Sequence, residues 1–306
     1  MNKLEWIRAL YGDPMAVFSD LLRSVIIAPP GKVLDCADYA AIEARVLFWV
    51  AKHEDGLRAF REGRDLYVEQ AAKIYNVPLT SVDSAKRWLG KSVILGAGYS
   101  MGAPKFAATC LAQGREVSEE LAKAAIASYR EAHRPVTILW SNIERAAIAA
   151  VDNPGKTYTV NRTKWYVKNN FLFCELPSGR RLAYYGPTVK WGFKFATSRE
   201  KSPILHHYGV DPLSRQWVES KTYGGRLVEN VVQAIARDLM AEAMLRIEAA
   251  GPWSIVLSVH DELIAERDLK GGGSIRAFCD LMVALPSWAE GLPVAAEGFS
   301  SVRYRK

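Results

Sequence analysis

The sequence predicts a mixed α+β fold in which strands far apart in the chain share one sheet, and three observations point to it. A short apolar run, 33–37, follows the breaker Pro29-Pro30-Gly31 and ends at Asp38, as a buried strand reaching the edge of a core would. Alanine-rich sequence with helical periodicity then fills much of the first half. Beyond it the character changes to a β-rich, aromatic segment over 158–185, then a long helix and a hairpin.

Taken in order, a helix is expected over 14–26 and a strand over 33–37. Residues 41–52 read as a helix because Ile42, Val46, Leu47 and Val50 form one apolar stripe. Further helices are expected over 65–75 and 84–95, the second ending at Gly96-Ala97-Gly98, and over 118–132 and 135–151. Within 158–185, Asn169-Asn170 and Pro177-Ser178-Gly179 are turn signals between strands. Gly224-Gly225 reads as a hinge-like break before a helix over 227–249. The apolar runs 255–259 and 263–265 flank His260-Asp261-Glu262, a hairpin with three polar residues at its tip. No internal repeat or low-complexity tract is present.

The chain has 306 residues, enough for two structural units, and its 49% hydrophobic and 24% charged content is that of an ordinary folded protein. A net charge of +7 points to an anionic partner, nucleic acid or a membrane surface. No apolar run approaches the roughly 18 residues of a spanning helix, so no membrane partner is expected. The first residues lack the pattern of a secretory signal. Cys36, Cys110, Cys174 and Cys279 form no C-x-x-C pair, which argues against zinc and for reduced thiols in a cytoplasmic protein.

Two strands that end in carboxylates carry the chemistry. Tips such as Asp38 and Asp261, adjacent in one sheet, would hold two divalent cations that clamp the attacking and leaving oxygens of an in-line displacement. Mg2+ suits this because it takes hard oxygen ligands and completes its shell with phosphate and water. Taken alone, Asp38 is equally a helix N-terminal residue and His260-Asp261-Glu262 a polar turn. Arg87, Lys91, Leu95 and Tyr99 recur every four residues, near one face of a helix. A cationic pair with an apolar and an aromatic residue further along would grip a triphosphate and its base, though a solvated basic face has the same pattern.

Together these segments resemble an ordered motif set. Asp38-Tyr39-Ala40-Ala41-Ile42-Glu43-Ala44-Arg45 resembles motif A of family A DNA polymerases, the family of bacterial DNA polymerase I and many phage replicases. Arg87-x-x-x-Lys91 through Gly98-Tyr99-Ser100-Met101-Gly102 resembles motif B on the fingers helix, and Val259-His260-Asp261-Glu262 resembles motif C. The segment 226–238, containing Glu229-Asn230-Val231-Val232-Gln233, resembles the palm helix before motif C. Leu176-Pro177-Ser178-Gly179-Arg180-Arg181 and Tyr223-Gly224-Gly225 look like the phage branch. The similarity runs from about residue 21 to the end.

The resemblance implies a polymerase palm with an antiparallel sheet and mainly helical fingers, without thumb or exonuclease domains. It divides the chain into 1–52 (N-terminal helix and first palm segment), 53–222 (fingers with a β-rich segment) and 223–306 (second palm segment). The implied activity is template-directed addition of deoxynucleotides to a primer 3′ end. Asp38 and Asp261 would be ligands to two Mg2+ ions, with Mn2+ as a substitute, and Glu262 would support them. Arg87 and Lys91 would bind the incoming triphosphate, Lys91 also protonating the pyrophosphate. Leu95 and Tyr99 would lie by the nascent base pair, Tyr67 near the phosphates and Glu43 beneath the sugar. Asn230 and Gln233 would touch the primer–template minor groove, Arg45 the template and His260 the primer terminus. Glu43 with Glu262 favours deoxynucleotides over the single-subunit RNA polymerases, which lack the motif A glutamate.

Three positions depart from the family pattern. Leu95 replaces a usual Phe or Tyr, Tyr67 a phosphate-binding His, and Ala41 a commoner polar residue. The 37 residues before Asp38 also hold no thumb or proofreading motif. The expectation is therefore the catalytic chain of a split phage polymerase acting in a bacterial cytoplasm, with a second chain bringing thumb and exonuclease. The alternatives are a truncated polymerase or a non-catalytic DNA-binding remnant.

Overall fold

A computed structural model of the chain describes residues 2–195 and 198–305. Two helices come first, α1 (Lys3–Tyr11) and α2 (Pro14–Ser24). Asn2 and Glu5 cap α1 reciprocally, and Asp13 caps α2, where Pro14 occupies a position that needs no N–H donor. Strand β1 (Lys32–Tyr39) leads into α3 (Ile42–Ala51) and α4 (Glu54–Arg61). Helices α5 (Leu66–Tyr75), α6 (Ser84–Ala97), α7 (Ala103–Ala112), α8 (Glu119–Ala132) and α9 (Arg134–Asp152) follow. Asp65, Asp83 and Ser118 start α5, α6 and α8 by accepting first-turn N–H groups.

Six strands come next: β2 (Thr157–Val160), β3 (Thr163–Lys168), β4 (Phe171–Glu175), β5 (Arg181–Gly192), β6 (Ser202–Val210) and β7 (Trp217–Thr222). The chain continues with α10 (Gly224–Ala250), β8 (Trp253–Val259), β9 (Glu262–Asp268), α11 (Ile275–Val283) and β10 (Ala296–Ser301). The expected mixture of helices and antiparallel sheet is what forms. The hinge-like reading of Gly224-Gly225 is corrected, because both glycines lie inside the first turn of α10. They are small for a packing reason: a Cβ on Gly225 would overlap the Tyr99 carbonyl, and one on Gly224 the Trp140 carbonyl.

The chain divides into two compact units, Met1–Ala40 with Leu239–Pro286 and Val294–Lys306, and Ala41–Asp238 with Ser287–Pro293. The first holds an antiparallel sheet of order β10-β1-β9-β8. One of its faces packs Leu34, Cys36, Ile264 and Tyr304 into a small core. On the other face α11 lies against β1 and β10, with Phe278 against Trp253 at 5.6 Å and the Tyr39 hydroxyl donating to the Met282 carbonyl. Asp35 is fully buried on that face and accepts from Trp253 Nε1 at 2.7 Å, Arg267 Nε at 2.7 Å and the Ser300 hydroxyl. One carboxylate thus ties β1 to β8, β9 and β10.

The second unit holds a six-stranded antiparallel meander, β2 to β7 in sequence order. Its β3–β4 turn is Asn169-Asn170, both at positive φ, as a tight two-residue hairpin demands. Trp165, Leu172, Cys174, Tyr184 and Leu205 form the buried face of the sheet, and α9 packs against it. The Pro177-Ser178-Gly179 turn is fastened to α10, since Ser178 and Arg180 both donate to the Asp238 carboxylate.

Candidate functional site

In the first unit the sheet register gathers acidic residues at one end. Asp38 on β1 lies opposite Glu262 on β9 and Glu297 on β10, so all three side chains leave the same face. Directly opposed residues have Cβ atoms about 4.5–5.5 Å apart. Asp261 sits one residue beyond, in the His260-Asp261 turn joining β8 to β9, and its carbonyl accepts the Tyr39 N–H at 3.1 Å. His260 takes a left-handed φ of 52° and is exposed at the bend.

This corrects the expected tip of three polar residues. The turn has two, and Glu262 is the first residue of β9, only 3% exposed. Its carboxylate accepts the Tyr304 hydroxyl at 2.5 Å. Burial and that carboxylate push the Tyr304 phenol up to about 12, so it stays a donor at any working pH. Neither Tyr304 nor Glu297 was legible as a site residue, because strand pairing rather than sequence spacing brings them here.

The donor set suits a hard divalent cation. Asp38 and Asp261 are half-buried and offer carboxylate oxygen. Cys36, two residues back on the same face, is not a competing ligand, since burial and the Glu262 charge push its thiol up to about 12. Among the described residues no group of three or more His, Cys, Asp or Glu forms a closed metal cage. Mg2+ needs none, because it binds through one or two carboxylates and fills its shell with water and substrate phosphate.

In the second unit a cleft of about 1540 Å³ is lined by Glu43, Leu95 and Tyr99, three of the residues expected to meet a nucleotide. Lys105, Arg130, Arg145, Lys194, Lys221 and Arg226 also line it, against only Glu43 and Glu229, so it favours an anion. Glu43 is a hub there: the Tyr99 hydroxyl donates to it at 2.9 Å and Gln233 Nε2 at 3.4 Å. Burial pushes the Tyr99 phenol well above its usual range, and the Glu43 charge adds to the shift. Arg226 and Glu229 precede Gln233 on α10 by seven and four residues, a helical spacing; both belong to the segment that resembles the palm helix, where motif reading assigned neither a role.

The remaining expected residues spread outwards. Lys91 and Leu95 line a smaller adjoining groove with Trp88 and Phe106, and Leu95 is 41% exposed. Arg87 is further along α6, with Nε 2.7 Å from Asp65 Oδ2 and its guanidinium 5.3 Å from the Tyr67 ring. Arg87 and Tyr67 therefore meet each other and Asp65, a residue the sequence marked only as a helix start. Asn230 donates to the Tyr184 hydroxyl at 3.1 Å. Arg45 donates to the Pro293 carbonyl at 2.9 Å and stacks its guanidinium 4.2 Å from the Phe60 ring centroid, so its charge is partly engaged in packing.

Comparison with known proteins adds the family. A model described as DNA polymerase family A matches residues 16–278. The DNA polymerase of Bacillus phage SP02 is 34% identical over 312 residues, covering 99% of this chain and 46% of the relative. The thermostable DNA polymerase I of Thermus aquaticus is 31% identical over 250 residues, covering 80% of this chain and 24% of the relative. The chain thus spans less than half the length of these curated relatives. Among solved structures, the POL domain of Pol1 from M. smegmatis, in complex with DNA primer-template and dNTP, has the same fold. The TM-score is 0.59 at 21% identity, over 92% of this chain and 42% of that one.

Proposed function

The chain belongs to DNA polymerase family A, and from that premise we propose that it adds deoxynucleotides to a primer 3′ end under the direction of a DNA template. The observation that carries the reading is the acidic end of the first sheet, where Asp38 and the turn bearing Asp261 are locked side by side by the β1–β9 ladder. A binding module has no use for carboxylates gathered where a polyanion must approach.

Asp38 and Asp261 would hold two Mg2+ ions, which when bound activate the attacking hydroxyl and neutralise charge on the leaving pyrophosphate. Glu262, steadied by Tyr304, supports that pair from within the sheet. Arg87 and Lys91 bind the triphosphate as cations, and Lys91 would give a proton to the leaving group. Tyr67 replaces a charged phosphate ligand with a neutral hydroxyl. Tyr99 and Leu95 offer the nascent base pair an aromatic and an apolar surface, and Glu43 occupies the space that a 2′-hydroxyl would need. Asn230 and Gln233 read the shape of the primer–template, Arg45 steadies the template and His260 the primer terminus. None of these contacts requires base identity, which suits an enzyme that leaves sequence to base pairing.

We read the carboxylate-bearing unit as palm and the helical unit with the six-stranded sheet as fingers. The finer proposal is a catalytic chain that works with a second chain carrying thumb and exonuclease, in the cytoplasm of a bacterial host.

Primer extension with Mg2+ and deoxynucleotides, by the chain alone and mixed with a thumb-bearing chain, tests both levels. Extension by the mixture alone is the expected result. Asp261→Asn should abolish it and weaken Mn2+ binding measured by electron paramagnetic resonance, while folding and duplex binding persist. Extension that survives this change would sink the metal assignment, and none from either sample with the fold intact would sink the enzyme reading.

A further inference from the structure

The outer face of the β2–β7 sheet carries a continuous aromatic band that the proposed chemistry does not use. Tyr166 contacts Phe173 at 5.6 Å between ring centroids, and Phe173 contacts Phe171 at 5.7 Å. Phe171 meets Tyr185 at 5.2 Å, and Tyr185 touches both Tyr208 at 6.4 Å and Trp217 at 6.1 Å. The band therefore runs over five strands, about 19 Å at the usual spacing of neighbouring strands. Tyr166, Phe171 and Phe173 are half-buried, as an ordinary cross-strand ladder would leave them. Tyr185 and Tyr208 are 40% exposed and Trp217 is 58% exposed, more than sheet stability requires.

Charge selects the occupant. Residues 157–222 contain eleven Lys and Arg against four Asp and Glu, a formal +7 that equals the charge of the whole chain. The register puts Lys164, Lys168, Arg181, Lys190 and Lys221 on the band's own face, with Glu175 and Glu219 as the only carboxylates on it among the described residues. Lysines set among the rings disfavour an apolar protein partner, whose interface cores are depleted in lysine. Like charge disfavours a second copy. Duplex DNA hides its base faces, whereas a single strand offers bases to rings and phosphates to lysines at once.

We infer that this face binds single-stranded DNA, with Tyr185, Tyr208 and Trp217 stacking on bases while Lys168, Arg181 and Lys190 hold phosphates. The choice of DNA over RNA rests on the proposed polymerase function; the binding itself does not.

The test is fluorescence anisotropy of a labelled oligodeoxythymidylate of about 15 nucleotides, near the upper site size of one such platform, with the full chain at low salt. The Tyr185→Ala/Trp217→Ala variant should bind about tenfold or more weakly, the scale of one lost stacking contact. Tyr185→Phe/Trp217→Phe should bind like the parent, which separates loss of the rings from loss of the fold. Unchanged affinity in the alanine variant overturns the inference, as does tighter binding of an oligouridylate. It also falls if light scattering shows a dimer that the alanine variant loses while its DNA affinity is unchanged. Primer extension on the same proteins keeps the two proposals apart. Ring-dependent binding by a chain that extends nothing, either alone or mixed with the thumb-bearing chain, supports this face and sinks the polymerase reading. Extension with ring-independent binding does the reverse.

Discussion

Replacing Arg267 with Met probes the charge that holds the carboxylate-bearing sheet together. Asp35 has no exposed surface and the Arg267 side chain is 11% exposed, so the pair is shielded from water. Burial alone would push the Asp35 carboxyl up, but hydrogen bonds from Arg267, Ser300 and Trp253 outweigh it and hold the group below the usual carboxylate range. Arg267→Met leaves that carboxylate buried with only the two neutral donors. Breaking a buried pair costs about 3–5 kcal/mol, and the remaining donors place this case near 3. Out of a total of about 5–15 kcal/mol for a domain, that is a large loss. Urea unfolding followed by tryptophan fluorescence and far-UV circular dichroism measures it. Asp35→Asn added to Arg267→Met should recover part of the loss, because no charge then remains to be desolvated. The pH dependence has a definite sign. A lowered carboxyl stabilises the fold fully above its unfolded value, near 3.8, and the contribution fades as pH falls through the lower folded value. The parent's own contribution should therefore stay level from neutrality to about pH 4. The variant's buried carboxyl, no longer held down by the guanidinium, takes up its proton more readily, so the gap between the two should narrow as pH falls. A loss under about 1 kcal/mol at neutral pH, the range of exposed pairs, would refute the reasoning.

Two further predictions concern the nucleotide side. Glu43→Ala removes the carboxylate that Tyr99 and Gln233 share, and ribonucleotide incorporation should rise about tenfold or more, equivalent to about 1.4 kcal/mol of lost discrimination. Single-nucleotide insertion with paired ribo- and deoxynucleotides reads this out, and unchanged sugar selectivity removes the steric role. Asp65→Asn keeps a capping oxygen for the Tyr67 and Val68 N–H groups but frees Arg87 of its anionic partner. That pair is half exposed and worth about 1 kcal/mol or less, so thermal stability should barely move while KM for the incoming nucleotide falls about two- to threefold. An unchanged KM would mean that Arg87 does not serve the triphosphate.

Local chemistry made much of this fold legible. The strand expected over 33–37 is the core of Lys32–Tyr39, and the helix expected over 84–95 extends only to Ala97, with Gly98 after it. Asn169-Asn170 announced a hairpin because few other residue pairs tolerate two left-handed conformations in succession. Helices α1, α4, α7 and α11 went unread; α4 is short and strongly charged, and it packs against its chain neighbours α3 and α5. The carboxylates were visible as strand ends, but their supports were not. Tyr304 reaches Glu262 across 42 residues and Arg267 reaches Asp35 across 232, and no periodicity encodes such pairings. The cationic lining of the cleft was hidden for the same reason, since Lys105, Arg130, Lys194 and Arg226 come from four separate elements or loops.

The glycine at the start of α10 has a mechanical consequence. Because Gly225 presents only hydrogen to the Tyr99 carbonyl, the turn that follows α6 bears directly on the first turn of α10. Two turns along the same rod, Gln233 reaches Glu43, and Glu43 in turn holds the Tyr99 hydroxyl. Tyr99, Gly225, Gln233 and Glu43 therefore form a closed linkage rather than a set of separate contacts. Such a linkage moves as one body or opens at its longest joint, the 3.4 Å reach from Gln233 to Glu43. The wall that would judge the incoming sugar is thereby geared to the residues that would feel the last base pair already made.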